Sequence, residues 1–489
     1  MPKRNAPLEM DPAAFREAGH ALVDRIASFL ESLPTRTVTP GEAPADVRAV
    51  LPDDRLPETG RPAGPLLEEA SKILFDHSLF NGHPRFWGYI TSSAAPIGAL
   101  ADLLASAVNP NCGAWTLSPA ATEIEAQTIR WIADLVGYPR DGGGILVSGG
   151  NMANMVGFLA ARRARVPWNV RENGVAESGS RLTVYASKET HTWVQKAADL
   201  FGLGTGAIRW IETDSRQAMV PDALSEAIEN DLFSGRVPLL VVGTAGSVST
   251  GAIDPLREIS AICKRHGVWF HVDGAYGAFA AALPEAPDDL KALSLADSIA
   301  LDPHKWLYAP LEAGCTLVRD QRHLSDAFSY RPAYYGFQGG GGSSPLNYYE
   351  LGPQNSRGFR ALKVWLGLRH AGREGYVRMI RDDIALASHL FEAVSAEPEL
   401  EAVSLSLSIA TFRYVPAGWT DPAAIDDVNR EILEQLQRGG DAFVSNAVVD
   451  GKQVLRACIV NFRTTKEDVE ALPGIVARIG RAFALTRRP

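Results

Sequence analysis

The chain of 489 residues is 46% hydrophobic and 21% charged, an ordinary globular balance in a body too long for one small core. A net charge of −9 leaves no basic field for nucleic acid and no adhesive face for acidic membranes. Four cysteines lie far apart without a C-x-x-C pair, and ten histidines form no metal-spaced cluster, so neither a zinc knuckle nor a disulfide framework is expected. A reducing, cytoplasmic setting is the expectation. The opening MPKRNAPLEMDPAAFREAG has early positive charges but no apolar run behind them, so no secretory signal is expected. No run approaches the roughly 20 apolar residues that span a bilayer.

In chain order, the first predicted element is a helix in DPAAFREAGHALVDRIASFLESLP that starts after Asp11, stops before Pro34 and sets Phe15, Leu22, Ile26 and Phe29 on one face. Such a stripe must be buried on something, and a second subunit is one candidate. Pro- and charge-rich sequence follows, and residues 1–95 read as an N-terminal helical arm. From 96 to 370 the runs GGILVSG, RLTVYAS, GAIRWIE, VPLLVVGTAG, VWFHVDGAYG, DSIALDP and AGCTLVRD alternate with helical stretches. That alternation predicts a large α/β domain with a mostly parallel seven-stranded sheet, covered on both faces, with ligands at the carboxyl ends of the strands. Residues 371–489 read as a smaller α+β domain with an antiparallel sheet, in which Asp450-Gly451 is a hairpin turn signal.

Four features fall at strand ends of the large sheet. In GGILVSGGNMANM a strand ends at Ser148 and a helix begins near Asn151, a helix N-terminus that suits a phosphate, although the spacing is neither a P-loop nor a G-x-G-x-x-G. His191 lies between a strand end and an amphipathic helix, where a capping or surface role is the ordinary reading. Asp273 ends the apolar strand VWFHVD, and a carboxylate there needs a cation or several donors. The small Gly274, Ala275 and Gly277 after it leave room for something flat. Lys305 in ADSIALDPHKWLYAP stands in apolar company, and its ordinary reading is a snorkelling or salt-bridged lysine. Together a phosphate cradle, a flat slot, a carboxylate for a ring nitrogen and an amine for an aldehyde are the fittings of pyridoxal 5′-phosphate.

The blocks HPRFWGYITSSAAPIGALADLL, WTLSPAATEIEAQTIRWIADLVG, SGGNMANM, HVDGAYGAFA and DPHKWLYAP resemble the group II pyridoxal-phosphate decarboxylases, which act on aromatic amino acids, glutamate, histidine and tyrosine. The resemblance runs in order over most of the chain. It implies the aspartate aminotransferase-like type I fold and a homodimer with active sites at the subunit interface. Cofactor contacts are implied for Gly150, Asn151, His191, Asp273, Ala275, His304 and Lys305, with Lys305 taking the aldehyde and His191 stacking on the ring. DAFSYRPAYYGFQ resembles the family's mobile catalytic loop, so Tyr334 is implied as the acid that returns a proton to Cα, and relatives that make aldehydes carry phenylalanine there. The implied substrate pocket holds Tyr89, Ile90, Ser92, Asn111, Gly113, Trp115 and Ser356, their other reading being a dimer interface. An aromatic L-amino acid is the first expectation, with an acidic-amino-acid decarboxylase or an aromatic aldehyde synthase as alternatives. Arg357 and Arg360 are the arginines to inspect for the carboxylate clamp of an aminotransferase. Two positions depart from the pattern. Asp302 replaces an asparagine and would repel a phosphate unless turned away, and Val248 replaces a threonine that supports the aspartate, leaving Ser247 or Ser249 for that task.

Overall fold

Runs rich in β-branched residues become strands where both faces can be buried. In the computed structural model, which describes residues 6–51, 55–176, 179, 181–330 and 345–486, the seven runs are strands. They are β1 (Gly143–Val147), β2 (Leu182–Ser187), β3 (Ile208–Ile211), β4 (Val237–Thr244), β5 (Trp269–Asp273), β6 (Ser298–Leu301) and β7 (Gly314–Val318). Their order is β1-β7-β6-β5-β4-β2-β3. Only β7 runs against its neighbours, β1 and β6, and the remaining pairs are parallel. One apolar core covers both faces of this sheet. Because β1, β2, β4, β5 and β6 share a direction, their carboxyl ends lie along one edge. The segments that follow carry Ser148, His191, Thr244, Asp273 and Asp302 to that edge, where open α/β sheets bind ligands.

The C-terminal sheet is antiparallel, β10-β11-β9-β8, built from β8 (Leu400–Ser406), β9 (Ile409–Tyr414), β10 (Ser445–Val449) and β11 (Lys452–Cys458). Asp450 and Gly451, with φ of 50° and 76°, make the two-residue turn expected between β10 and β11. The helix Ala361–Ala396 contributes to the cores of both sheets and breaks at Gly372. One stretch of the N-terminal segment belongs elsewhere than in an arm. Trp87 is buried in the core of the small sheet, and its backbone bonds Phe443 and Cys458 while its Nε1 donates to Thr464 Oγ1.

The first helix is Pro12–Ser32, capped by the Asp11 carboxylate, which accepts from the N–H groups of Ala13 and Ala14. None of its residues is buried: Phe15 is 58% exposed, and only Phe29 finds an aromatic partner, stacked on Phe75 at 4.4 Å. The helix Pro96–Val108 likewise leaves Leu100, Leu103, Leu104 and Val108 exposed. All four cysteines are buried and unpaired.

Candidate active site

Gly149 has φ of 131°, a backbone that side chains rarely adopt, and the start of β7 presses on it: a Cβ at Gly314 would lie 2.5 Å from Gly149 Cα. The tight turn aims the helix Gly150–Arg165 with its first N–H groups toward the strand-end edge, since the helical bonding starts with Ala153 N to Gly149 O. The helix is held to the sheet through His271 on β5, whose Nδ1 meets Ser298 Oγ and whose Nε2 meets Asn154 Oδ1, both at 2.8 Å. Burial lowers the His271 pKa to about 4, so the ring is neutral.

Lys305 follows β6 on a loop fixed from below. Trp306 Nε1 and Tyr308 Oη donate to Asp383 Oδ2 at 2.8 and 2.6 Å, a carboxyl whose pKa burial raises to about 7. Ser92 Oγ donates to the His304 carbonyl at 2.8 Å, and His304 Nδ1 meets Ala313 O at 2.8 Å. Burial lowers the His304 pKa. The Lys305 amine is therefore placed by its neighbours, and it is not alone: Nζ lies 3.0 Å from Asp302 Oδ2. Asp302 does not turn away from the cradle: its carboxylate is 2% exposed, faces Lys305, and lies 2.6 Å from where a Cβ on Gly150 would stand.

Asp273 is held by Trp193 Nε1, which donates to Oδ2 at 2.8 Å, and by Ala275 N, which donates to Oδ1 at 3.2 Å. Neither Ser247 nor Ser249 does this work. Ser247 Oγ meets Thr250 Oγ1 within its own turn, and Ser249 bonds Glu189. His191 stands exposed at the wall, its imidazole pKa lowered first by desolvation, against the pull of Asp273. A cavity of about 610 Å³ joins these groups: Gly150, Asn151, His191, Asp273, Ala275, His304 and Lys305 all line it, with Asp302. A small-residue turn, first-turn N–H groups, a carboxylate and an amine around one slot fit pyridoxal phosphate.

Sequence reasoning missed several residues here. Trp193 fixes Asp273, and a buried indole two residues after His191, needing an acceptor, was the available signal. Glu189 and Glu312 add carboxylates to the wall, and burial raises the pKa of Glu189. Arg456 on β11 is buried without a carboxylate partner among the described residues, donating to Ser445 Oγ and to the carbonyl of cavity-lining Val248.

Of the residues expected around the substrate, Ile90 lines this cavity, and the others do not. Tyr89 is 55% exposed beside Phe443, and Ser92 braces His304. Asn111, Gly113 and Ser356 come together at a second place. Asn111 Oδ1 accepts from Gly113 N and Arg357 N, and a Cβ at Gly113 would strike Asn355 O. Trp115 Nε1 donates to Glu123. Arg357 is no clamp: with Glu125 it forms a buried pair, both 1% exposed, that also bonds Cys112 O and Leu146 O and Leu146 N. Breaking such a pair costs about 3–5 kcal/mol. Arg360 pairs with Glu312 at 2.9 Å. Tyr334 lies outside the described residues.

Comparison with known proteins identifies relatives. The family model described as pyridoxal-dependent decarboxylase conserved domain matches residues 44–415. An aromatic-L-amino-acid decarboxylase of Bacillus atrophaeus is 32% identical over 94% of this chain and 94% of its own. Tyrosine decarboxylase 2 of Arabidopsis thaliana is 33% identical over 92% of this chain and 84% of its own. Among solved structures, Oryza sativa TDC with PLP and tryptamine superposes with a TM-score of 0.90 at 28% identity, over 98% of this chain and 100% of that one.

Proposed function

The chain belongs to the pyridoxal-dependent decarboxylase family and is a pyridoxal-phosphate-dependent carboxy-lyase of amino acids, and from that premise we propose that its substrate is an aromatic L-amino acid, released as amine and carbon dioxide. The observation that carries the substrate class is the charge of the cavity wall. Glu189, Asp273, Asp302 and Glu312 line it, against Lys305 as the one cationic side chain among the described lining residues. An acidic substrate brings two carboxylates and needs two cations. With the phosphate in place the balance is more negative still, so a neutral, flat side chain is favoured.

Each residue then has a physical task. Pyridoxal phosphate, when bound, supplies a conjugated ring able to accept the electron pair of a bond held perpendicular to it. Gly150 and Asn151 hold the phosphate with first-turn donors. Asp273 holds a proton at the ring nitrogen, its own position set by Trp193. His191 and Ala275 enclose the ring faces, and His304 backs the Lys305 loop. Lys305 would hold the cofactor's aldehyde through its amine. Arg456 backs the cavity wall through the carbonyl of Val248, and Tyr334 would return the proton to Cα.

The test is carbon dioxide release from each of the twenty amino acids. Tyrosine, tryptophan or phenylalanine is expected to exceed glutamate and aspartate by about 10²-fold or more in kcat/KM. Preference for glutamate would overturn the aromatic reading and leave the family intact.

A second subunit completes the proposal. The uncovered stripe of Pro12–Ser32 and the exposed leucines of Pro96–Val108 are apolar surface of the kind partners cover, and the group Asn111, Gly113 and Ser356 stands apart from its own chain's cavity. A homodimer in the cytoplasm, with the active site at its interface, unites these features. Sedimentation at the mass of a single chain, at working concentration, would exclude it.

A further inference from the structure

Asp302 is the one acidic side chain wedged between the proposed phosphate cradle and the Lys305 amine. Its side chain is 2% exposed, and while Oδ2 lies 3.0 Å from Lys305 Nζ, Oδ1 is buried with no hydrogen-bond partner among the described residues. Oδ2 also lies against Gly150, the first residue of the helix. A buried carboxylate oxygen without a donor is costly, and Asp302 lines the cavity into which a phosphate would come.

We infer that capture of the cofactor is proton-linked: the chain takes up one proton from water and holds it between the Asp302 carboxylate and a phosphate oxygen. The inference rests on the placement of the phosphate at Gly150 and Asn151 proposed above. Its logic is charge balance. In the free chain Lys305 neutralises Asp302. When the Lys305 ammonium condenses with the aldehyde, two of its hydrogens leave with the aldehyde oxygen as water, and the nitrogen stays a cation joined to carbon. That step would free no proton, yet it would engage the ammonium that neutralises Asp302 in the free chain. A phosphate monoester has its second ionisation near about 6, so above neutrality it arrives as a dianion. Two anionic oxygens in contact repel, whereas one shared proton converts the contact into a short O–H···O bond of the charge-assisted kind.

The neighbours do not supply that proton. His304, 3.7 Å from Asp302 Oδ2, and His191 are both driven toward the neutral ring by burial, and burial pushes the Cys315 thiol on β7 up, so it stays protonated. Asp273 already accepts from Trp193 and Ala275, and Glu312 is paired with Arg360.

The experiment titrates the full-length cofactor-free chain with pyridoxal 5′-phosphate in two buffers of equal pH and different heats of ionisation, which counts protons exchanged. About one proton taken up per cofactor is expected above neutrality, and the affinity is expected to fall by about tenfold for each pH unit, because the bound state holds a proton the free components lack. Asp302→Asn, of the same shape, is expected to abolish the uptake and flatten the pH dependence. Phosphate-free pyridoxal, which still reacts with Lys305, is expected to bind without uptake. Binding of the phosphate form with no proton exchanged, or the same uptake in Asp302→Asn, overturns the inference. Failure of either aldehyde to develop the visible absorbance of a lysine-bound cofactor would instead overturn the placement of the site.

Discussion

Lys305→Ala is expected to remove the visible absorbance of the lysine-bound cofactor and to slow decarboxylation by roughly 10³-fold or more, the scale on which loss of a covalently acting group is felt. The substitution has a second consequence that must be separated from the first. Asp302, 2% exposed, loses the ammonium 3.0 Å away, and an uncompensated buried carboxylate lowers stability by about 3 kcal/mol, the low end for breaking a buried pair because the Lys305 side chain is itself 22% exposed. A weakened fold could then be mistaken for weakened chemistry. Combining Lys305→Ala with Asp302→Asn resolves the two: denaturation should show recovered stability, while turnover and the absorbance stay lost. Turnover restored in the double variant would mean that Lys305 is a structural counter-ion and not the amine that carries the aldehyde. Full activity in the single variant would remove Lys305 from the chemistry altogether.

What was legible in the sequence was local. The strand runs, the turn at Gly149, and Asp273 and Lys305 at strand ends all follow from periodicity and from the cost of placing a charge beside apolar residues, so they can be read within a few residues. The supports were not legible because they are partners distant in sequence. Trp193 reaches Asp273 across 80 positions, Trp306 reaches Asp383 across 77, and Arg357 reaches Glu125 across 232. A single sequence names each of these residues as polar in apolar company without saying which acceptor it finds. Asp302 illustrates the limit. The clash with a phosphate was readable, but the side chain's direction depends on Lys305 and Gly150 together, and the structure turns it into the cavity. Most of the residues expected around the substrate fall outside the lining of their own chain's cavity, which periodicity within one chain has no means of revealing.

Tyr334→Phe is expected to change the product and not merely the rate. The substitution deletes one hydroxyl and keeps the ring, so it removes only the acid proposed at that position. After carbon dioxide leaves, two fates compete at Cα: a proton yields the amine, whereas dioxygen together with one water yields aldehyde, ammonia and hydrogen peroxide. A positioned general acid accelerates its proton transfer by about 10²–10⁴-fold, so its loss lets a slow oxidative route overtake. His191 stands exposed at the cavity wall with its pKa lowered by desolvation, so at neutral pH it is the neutral ring and does not take over as the acid. Carbon dioxide release should therefore continue at a reduced rate while amine falls and aldehyde, peroxide and oxygen uptake rise together, a stoichiometry that mass spectrometry and an oxygen electrode read directly. Undiminished amine with no peroxide would place the proton donor elsewhere in the site. Aldehyde already formed by the unaltered chain would make it a synthase despite its tyrosine, and the choice between amine and aldehyde would then rest on something other than that hydroxyl.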